Sequence, residues 1–268
     1  MSRQRHFTIT AHDGVRLDAL AQGPADRPPL ILLHGFSDSR LSFDPLLAAL
    51  PETVHAVAFS QRGHGASGKP EAPAAYHAER FADDVTAVLD TVGHPRGDVL
   101  GHSMGSWAAL HTALRHPRRI DRLVLIGAFA GFAGNPGVGA LGEDIAALTD
   151  PVDPDFVRGF QEAASSADLP AAFVESVVAE SLRLPAHVWK SVFAAFLHDD
   201  VPPDLAPIRA ATRLIWGDGD PFVPRADQDA LLGALPAATL HVCEGLGHAP
   251  HWDRPDTVAR LVLDHLGS

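Results

Sequence analysis

The chain has 268 residues, 46% hydrophobic and 20% charged, the make-up of an ordinary soluble globular protein with one large core. Its formal net charge of −12 argues against nucleic acid as a partner, and no run approaches the roughly 18 apolar residues of a membrane helix, so no membrane partner is expected. Cys243 is the single cysteine, which makes an internal disulfide impossible, and no apolar stretch follows Arg3 and Arg5 as in a signal peptide; a cytoplasmic location is therefore expected.

Strand-like runs cover Phe7 to Thr10, Val15 to Ala21, Leu30 to Leu33, Val54 to Phe59, Asp98 to Leu100, Arg122 to Ile126, Arg213 to Trp216 and Thr239 to Val242. The later runs are continuously apolar rather than alternating, as parallel strands buried on both faces require. Helical patterns lie between them over Ala78 to Val92, Ser106 to Arg115, Arg225 to Leu235 and Pro255 to Leu266. This alternation predicts an α/β fold with a parallel sheet and right-handed crossovers.

Between about Gly131 and Pro207 the alternation stops. Four amphipathic segments follow one another with no strand: Val138 to Leu148, Pro154 to Ser165, Pro170 to Leu184 and Pro185 to His198, the last three opened by prolines. Residues 131–205 also carry 12 acidic against 3 basic side chains, most of the net charge of the chain. The expected organisation is a core of residues 1–130 and 208–268 with a helical cap, 131–207, inserted between two strands.

Gly101-His102-Ser103-Met104-Gly105 follows the strand-like Asp98-Val99-Leu100 and precedes a helical segment. This is the pattern of a nucleophile elbow, in which a serine on a tight strand-to-helix turn stands exposed above the sheet. A serine hydroxyl needs a base to remove its proton and a carboxylate to orient that base. Two further loops after strands supply candidates. Gly217-Asp218-Gly219-Asp220 follows Trp216, and Gly245-Leu246-Gly247-His248 follows the last strand, giving the chain order Ser103, Asp220, His248. Turn chemistry beside glycine accounts for Asp218. His251 is the nearest competitor of His248 among the 16 histidines. His102 is expected to pack under the nucleophile and His64 to serve a glycine-rich turn.

With His34-Gly35-Phe36 after a strand and Arg62-Gly63-His64-Gly65-Ala66-Ser67, these motifs make the chain resemble the α/β-hydrolase superfamily over nearly its whole length. It is similar to the cap-bearing esterase, lactonase and haloperoxidase-like branch. The resemblance implies a mostly parallel eight-stranded sheet flanked by helices, with an inserted helical cap. It favours Asp220, three residues after the glycine of Trp216-Gly217, as the triad acid, since Gly127-Ala128-Phe129-Ala130 offers no carboxylate after the preceding strand. The backbone N–H groups of Phe36 and Met104 are the expected oxyanion-hole donors. One departure is Ser60, where similar proteins usually carry an aspartate two residues before the arginine.

Ser103 excludes the branches that attack with aspartate, and Ala249 stands where hydroxynitrile lyases of this fold carry lysine. No metal-ligand spacing is evident and no cofactor is expected. The expected function is hydrolysis of a small, neutral, apolar carboxylic ester or lactone through an acyl-Ser103 intermediate. A carbon–carbon bond hydrolase, with Arg158 or Arg183 as its cap arginine, and a cofactor-free perhydrolase use the same triad. A ligand sensor with little turnover is the alternative of another class. Phe129, Phe132, Leu141, Val188, Trp189, Phe193, Phe196, Phe222 and Val223 are candidates for an apolar pocket below the cap, although helix packing selects the same residue types.

Overall fold

A computed structural model describes residues 4–131, 136–166 and 168–267. Eight strands, β1 (Arg5–Thr10), β2 (Arg16–Gln22), β3 (Leu30–Leu33), β4 (Ala56–Phe59), β5 (Gly97–His102), β6 (Ile120–Ile126), β7 (Ala211–Gly217) and β8 (Ala238–Cys243), form one sheet in the order β1-β2-β4-β3-β5-β6-β7-β8. The hairpin β1–β2 is antiparallel and β2 runs antiparallel to β4, while the pairs from β4 to β8 are parallel. Every strand-like run of the sequence is a strand, most of them longer by one or two residues at an end.

The buried parallel strands divide their side chains between two cores with period two. Ile31, Leu33, Val57, Phe59 and Val99 face a core shared with α2 (Ala78–Thr91) and α3 (Met104–Arg115). Leu30, Leu32, Ala56, Ala58 and Leu100 face the core of α1 (Asp44–Ala49) and α10 (Pro255–Leu266). The sheet is thus covered on both sides, as parallel sheets require. The short helices α1 and α9 (Pro250–Asp253) are not legible in the hydrophobic periodicity, which needs more than one or two turns to show itself.

Among the described residues, four helices lie between β6 and β7: α4 (Pro136–Ala147), α5 (Pro154–Glu162), α6 (Ala171–Ser181) and α7 (Ala186–His198). Their starts follow the proline punctuation. Pro154 is the first residue of α5, with the Asp153 carboxylate accepting from the Asp155 N–H, whereas Pro170 and Pro185 stand just outside α6 and α7 as N-caps. The ends fall three residues short of the expected ones in α5 and α6. Between β7 and β8 comes α8 (Arg225–Ala234). Among the described residues no helix is long and apolar enough to cross a membrane.

The register places the site. Leu33 is level with Phe59 and Gly101, Gly101 with Leu125, and Gly217 with Cys243. The loops after β3, β5, β7 and β8 therefore leave the same edge of the sheet. Strand order reverses between β3 and β5, where parallel sheets leave a crevice for ligands.

Candidate active site

Ser103 joins β5 to α3 with φ 52° and ψ −114°, a backbone conformation that side chains rarely adopt. The glycines on either side permit the packing around it. A Cβ on Gly101 would stand 2.3 Å from the Gly105 carbonyl oxygen, and one on Gly105 would stand 1.9 Å from that of Leu33. The half-buried serine borders a cavity of about 320 Å³ that His248 also lines.

His248 Nδ1 lies 2.7 Å from Asp220 Oδ2, and the Asp220 carboxylate is fully buried. Its other oxygen accepts from the N–H groups of Phe222 at 2.8 Å and Val223 at 2.9 Å, so the carboxylate is held from both sides. A carboxylate accepts, so Nδ1 of His248 carries a proton and Nε2 is left as the basic nitrogen. Asp218 instead accepts from the Gly245 N–H at 2.6 Å in an exposed turn. His251 is buried with neither ring nitrogen hydrogen-bonded, and burial drives its pKa down to about 3.

Met104 is the first residue of α3, so its N–H has no carbonyl one turn earlier to bond, and the positive end of the helix dipole adds to it. Phe36 sits in a loop fixed from below. Wholly buried His34 donates from Nδ1 to the Gly35 carbonyl at 2.8 Å and accepts at Nε2 from the Gln61 N–H at 2.9 Å. These partners require the neutral ring, and burial lowers its pKa to about 4. With the Gly35 carbonyl pinned, the N–H of Phe36 across the same trans peptide points the opposite way. Phe36 and Met104 both border the cavity. A carbonyl placed between Ser103 and these two N–H groups would meet a hydroxyl, an imidazole held by a carboxylate, and two hydrogen-bond donors, the elements that acyl transfer requires.

Phe129, Leu141, Phe193, Phe222 and Val223 line the cavity, as does Phe196. Trp189 does not: it is wholly buried behind Phe36, ring centroids 4.9 Å apart, and its size serves the packing of α7 on the Phe36 loop. Val188 is likewise a core residue, and Phe132 lies outside the described residues. Asp38, Phe160 and Gln161 also stand in the cavity wall, where no motif of the sequence marks them. Gln161 shares the buried face of α5 with Val157, four residues earlier, a spacing that marks it as inward-facing.

Gln161 donates from Nε2 to Ser37 Oγ at 2.9 Å and Asp38 Oδ1 at 3.0 Å, and Ser181 Oγ donates to the Ser37 carbonyl at 2.9 Å. Two helices from the β6–β7 segment thus hold the loop that carries Phe36. Burial raises the pKa of Asp38 to about 7. Arg158 pairs with Glu175 at 2.9 Å and Arg183 with Glu180 at 3.0 Å, and neither borders the cavity. Among the described residues one group could offer three metal ligands, His77, His198 and Asp199, but both imidazoles are already hydrogen-bonded to the Asp199 carboxylate, at 2.7 and 2.6 Å.

The family model described as the alpha/beta hydrolase family matches residues 30–261. A 2-hydroxy-6-oxononadienedioate/2-hydroxy-6-oxononatrienedioate hydrolase of Pseudomonas putida is 28% identical over 253 residues, 88% of this chain and 87% of that protein. A protein of Variovorax paradoxus strain S110 named "Putative carbamate hydrolase RutD" is 31% identical over 255 residues, 91% of this chain and 93% of that one. The crystal structure of a hydrolase from Pseudomonas aeruginosa PA01 superposes with a TM-score of 0.86 at 25% identity, covering 98% of this chain and 99% of that chain. Matched in sequence across most of its length and in fold across nearly all of it, the chain belongs to the alpha/beta hydrolase family.

Proposed function

We propose that the protein hydrolyses a neutral carboxylic ester or lactone, with Ser103 as nucleophile, His248 as general base and acid, and Asp220 orienting His248. His248 Nε2 takes the Ser103 hydroxyl proton as Oγ bonds to the substrate carbonyl carbon. The N–H groups of Phe36 and Met104 receive the oxyanion. Its collapse breaks the carbon–oxygen bond, and the departing alkoxide takes the proton from His248. Water then repeats the sequence on the acyl-enzyme, releasing the acid and restoring Ser103. In this reading residues 131–207 roof the cavity as a cap, and the lone buried Cys243 fits a cytoplasmic site of action.

The observation that carries the choice of substrate is the cavity wall. It is mostly apolar, with Phe129, Phe160, Phe193, Phe196 and Phe222 exposed to it, and the described lining residues include no lysine or arginine. The substrate named for the Pseudomonas putida relative is a dioate. Here a substrate carboxylate would be desolvated with no cation to receive it, at a cost of several kcal/mol. The exposed, glutamate-paired Arg158 and Arg183 do not fill that role.

The test is a panel of neutral esters and lactones of increasing acyl length beside the matched dienoate diketone, together with fluorophosphonate labelling. Multiple turnovers of neutral esters or lactones, little turnover of the dienoate, and labelling lost in Ser103→Ala are expected. Faster cleavage of the dienoate would replace this reading by carbon–carbon hydrolysis, and a single stoichiometric turnover would replace it by a sensor.

A further inference from the structure

His102 ends β5, one residue before Ser103, and is buried. Its Nε2 lies 3.2 Å from the main-chain carbonyl of His248. A carbonyl only accepts, so Nε2 must carry the proton. Burial, with His251 and His248 nearby, holds the His102 pKa well below the ordinary histidine range and keeps the ring neutral. Its Nδ1 is therefore a lone pair, and that atom is buried without a hydrogen-bond partner. An unmet buried acceptor costs about 1–3 kcal/mol.

The group facing this lone pair is Asp38, with Oδ2 3.9 Å from His102 Nδ1 and both side chains 3% exposed. Asp38 Oδ1 accepts from Gln161, and the Asp38 N–H donates to the Gly35 carbonyl at 3.2 Å. Gly35 keeps the approach open, since a Cβ there would stand 2.8 Å from His102 Nδ1 and 3.0 Å from Asp38 Oδ2. An ionised Asp38 would set negative oxygen against a lone pair. A carboxylic acid would supply the missing donor after closing by roughly an ångström, within the broad torsional well of an aspartate carboxyl.

We propose that Asp38 is a positioning residue held as the carboxylic acid, whose O–H donates to His102 Nδ1 so that the pair braces the main chain of His248. The chain of contacts runs from the carboxyl O–H of Asp38 through neutral His102 to the carbonyl of His248. It ties the loop carrying Phe36 to the loop carrying the base. The groups packed around the pair are Gln161 from α5, His251 from α9, and His34 and His248 from the loops after β3 and β8. Burial raises Asp38 in the direction this role needs.

The effect on catalysis rests on the role proposed for His248, but the hydrogen bond does not, so the first readout is made without substrate. In 15N-labelled protein, His102, identified by the loss of its signals in His102→Gln, should be the neutral Nε2–H tautomer with Nδ1 shifted as a hydrogen-bond acceptor. Asp38→Leu should move Nδ1 to its unbonded value, and Asp38→Asn, whose amide can donate, should restore the bonded one. A protonated-carboxyl infrared band at pH 6, lost in Asp38→Asn, gives the same answer if Asp38→Leu fails to fold. The rate of fluorophosphonate labelling at Ser103 should fall about tenfold in Asp38→Leu and recover to within about threefold of wild type in Asp38→Asn, the scale of one buried hydrogen bond. A His102 imidazolium, an Nδ1–H tautomer, or Asp38→Asn as impaired as Asp38→Leu would overturn the proposal. None of these results would bear on which bond the enzyme cleaves.

Discussion

Gly105 lies so close beneath Leu33 that a Cβ on it would stand 1.9 Å from the Leu33 carbonyl oxygen. The first turn of α3 thereby rests directly on the end of β3, which sets Ser103 and Met104 beside the Phe36 loop. Gly105→Ala should push the helix off the strand. Overpacking of this kind costs about 1–3 kcal/mol and occasionally more. Thermal denaturation should show a clear loss of stability, and fluorophosphonate labelling should slow at temperatures where the variant remains folded. Unchanged melting and labelling would mean that α3 docks differently.

Asp220 and Asp218 are two residues apart but do different work. Asp220→Asn would present an amide to His248 Nδ1 and favour the wrong tautomer, a change that cost about 10⁴-fold in kcat in a serine protease. A loss of several thousandfold is expected here. Asp218→Asn keeps an acceptor for the Gly245 N–H and should leave kcat within about threefold, as expected for one exposed hydrogen bond. Steady-state kinetics on any accepted ester decide between them, and the reverse ranking would move the acid to Asp218.

Buried neutral histidines give stability a predictable pH dependence. The pKa values of His34 and His251 are lowered by burial to about 4 and about 3, so the unfolded chain binds more protons than the folded one from about pH 6.5 down to those values. Stability therefore falls as pH drops through that window, by at most about 1.4 kcal/mol per pH unit for each such group. Asp38 works in the opposite sense: its raised value makes its contribution fall as pH rises from about 4 through about 7. His251→Leu should make the acid limb shallower while keeping ester turnover, since neither ring nitrogen has a partner to lose. Denaturant titrations at pH 7, 6 and 5 measure this. Parallel stability curves for wild type and variant would show that His251 is not buried neutral.

Residues 131–205 carry 12 acidic against 3 basic side chains. Glu162 and Glu175 are among the exposed ones, with side chains 55% and 63% exposed, whereas Glu180 is 14% and Asp199 20% exposed. The field of this segment should slow the encounter with an anionic ester relative to a neutral one of the same shape. The difference should narrow as the Debye length falls from about 10 Å at 0.1 M salt to about 3 Å at 1 M. Measured kcat/KM for the matched pair at both salt concentrations tests this. Equal values at low salt would remove the segment's charge from substrate selection.

The strands were legible because their burial is periodic or continuous over several residues. Leu30–Leu33 reads as a strand with its observed bounds, and Pro255–Leu266 as a helix with its observed bounds. The helices α1 and α9 were not legible because one or two turns give too little period to detect. The contact between Asp220 and His248 was legible for a different reason: each follows its own strand by a short loop, and parallel strands bring such loops to one edge.

What the sequence determined by itself was the order of elements and the loops that carry Ser103, Asp220 and His248, because hydrophobic period, glycine spacing and proline punctuation are local properties of the chain. What only the tertiary structure decided was which large apolar residues face the cavity. Trp189 and Phe193 lie on the same helix and satisfy the same pattern, yet the first packs behind Phe36 and the second lines the cavity. The same holds for Asp38, Gln161 and His102. The chain places His102 in the elbow and Gln161 on the inward face of α5, but their relation to Asp38 arises only where a loop, a strand end and a helix distant in sequence come together. Long-range packing sets those distances, and no local pattern encodes them.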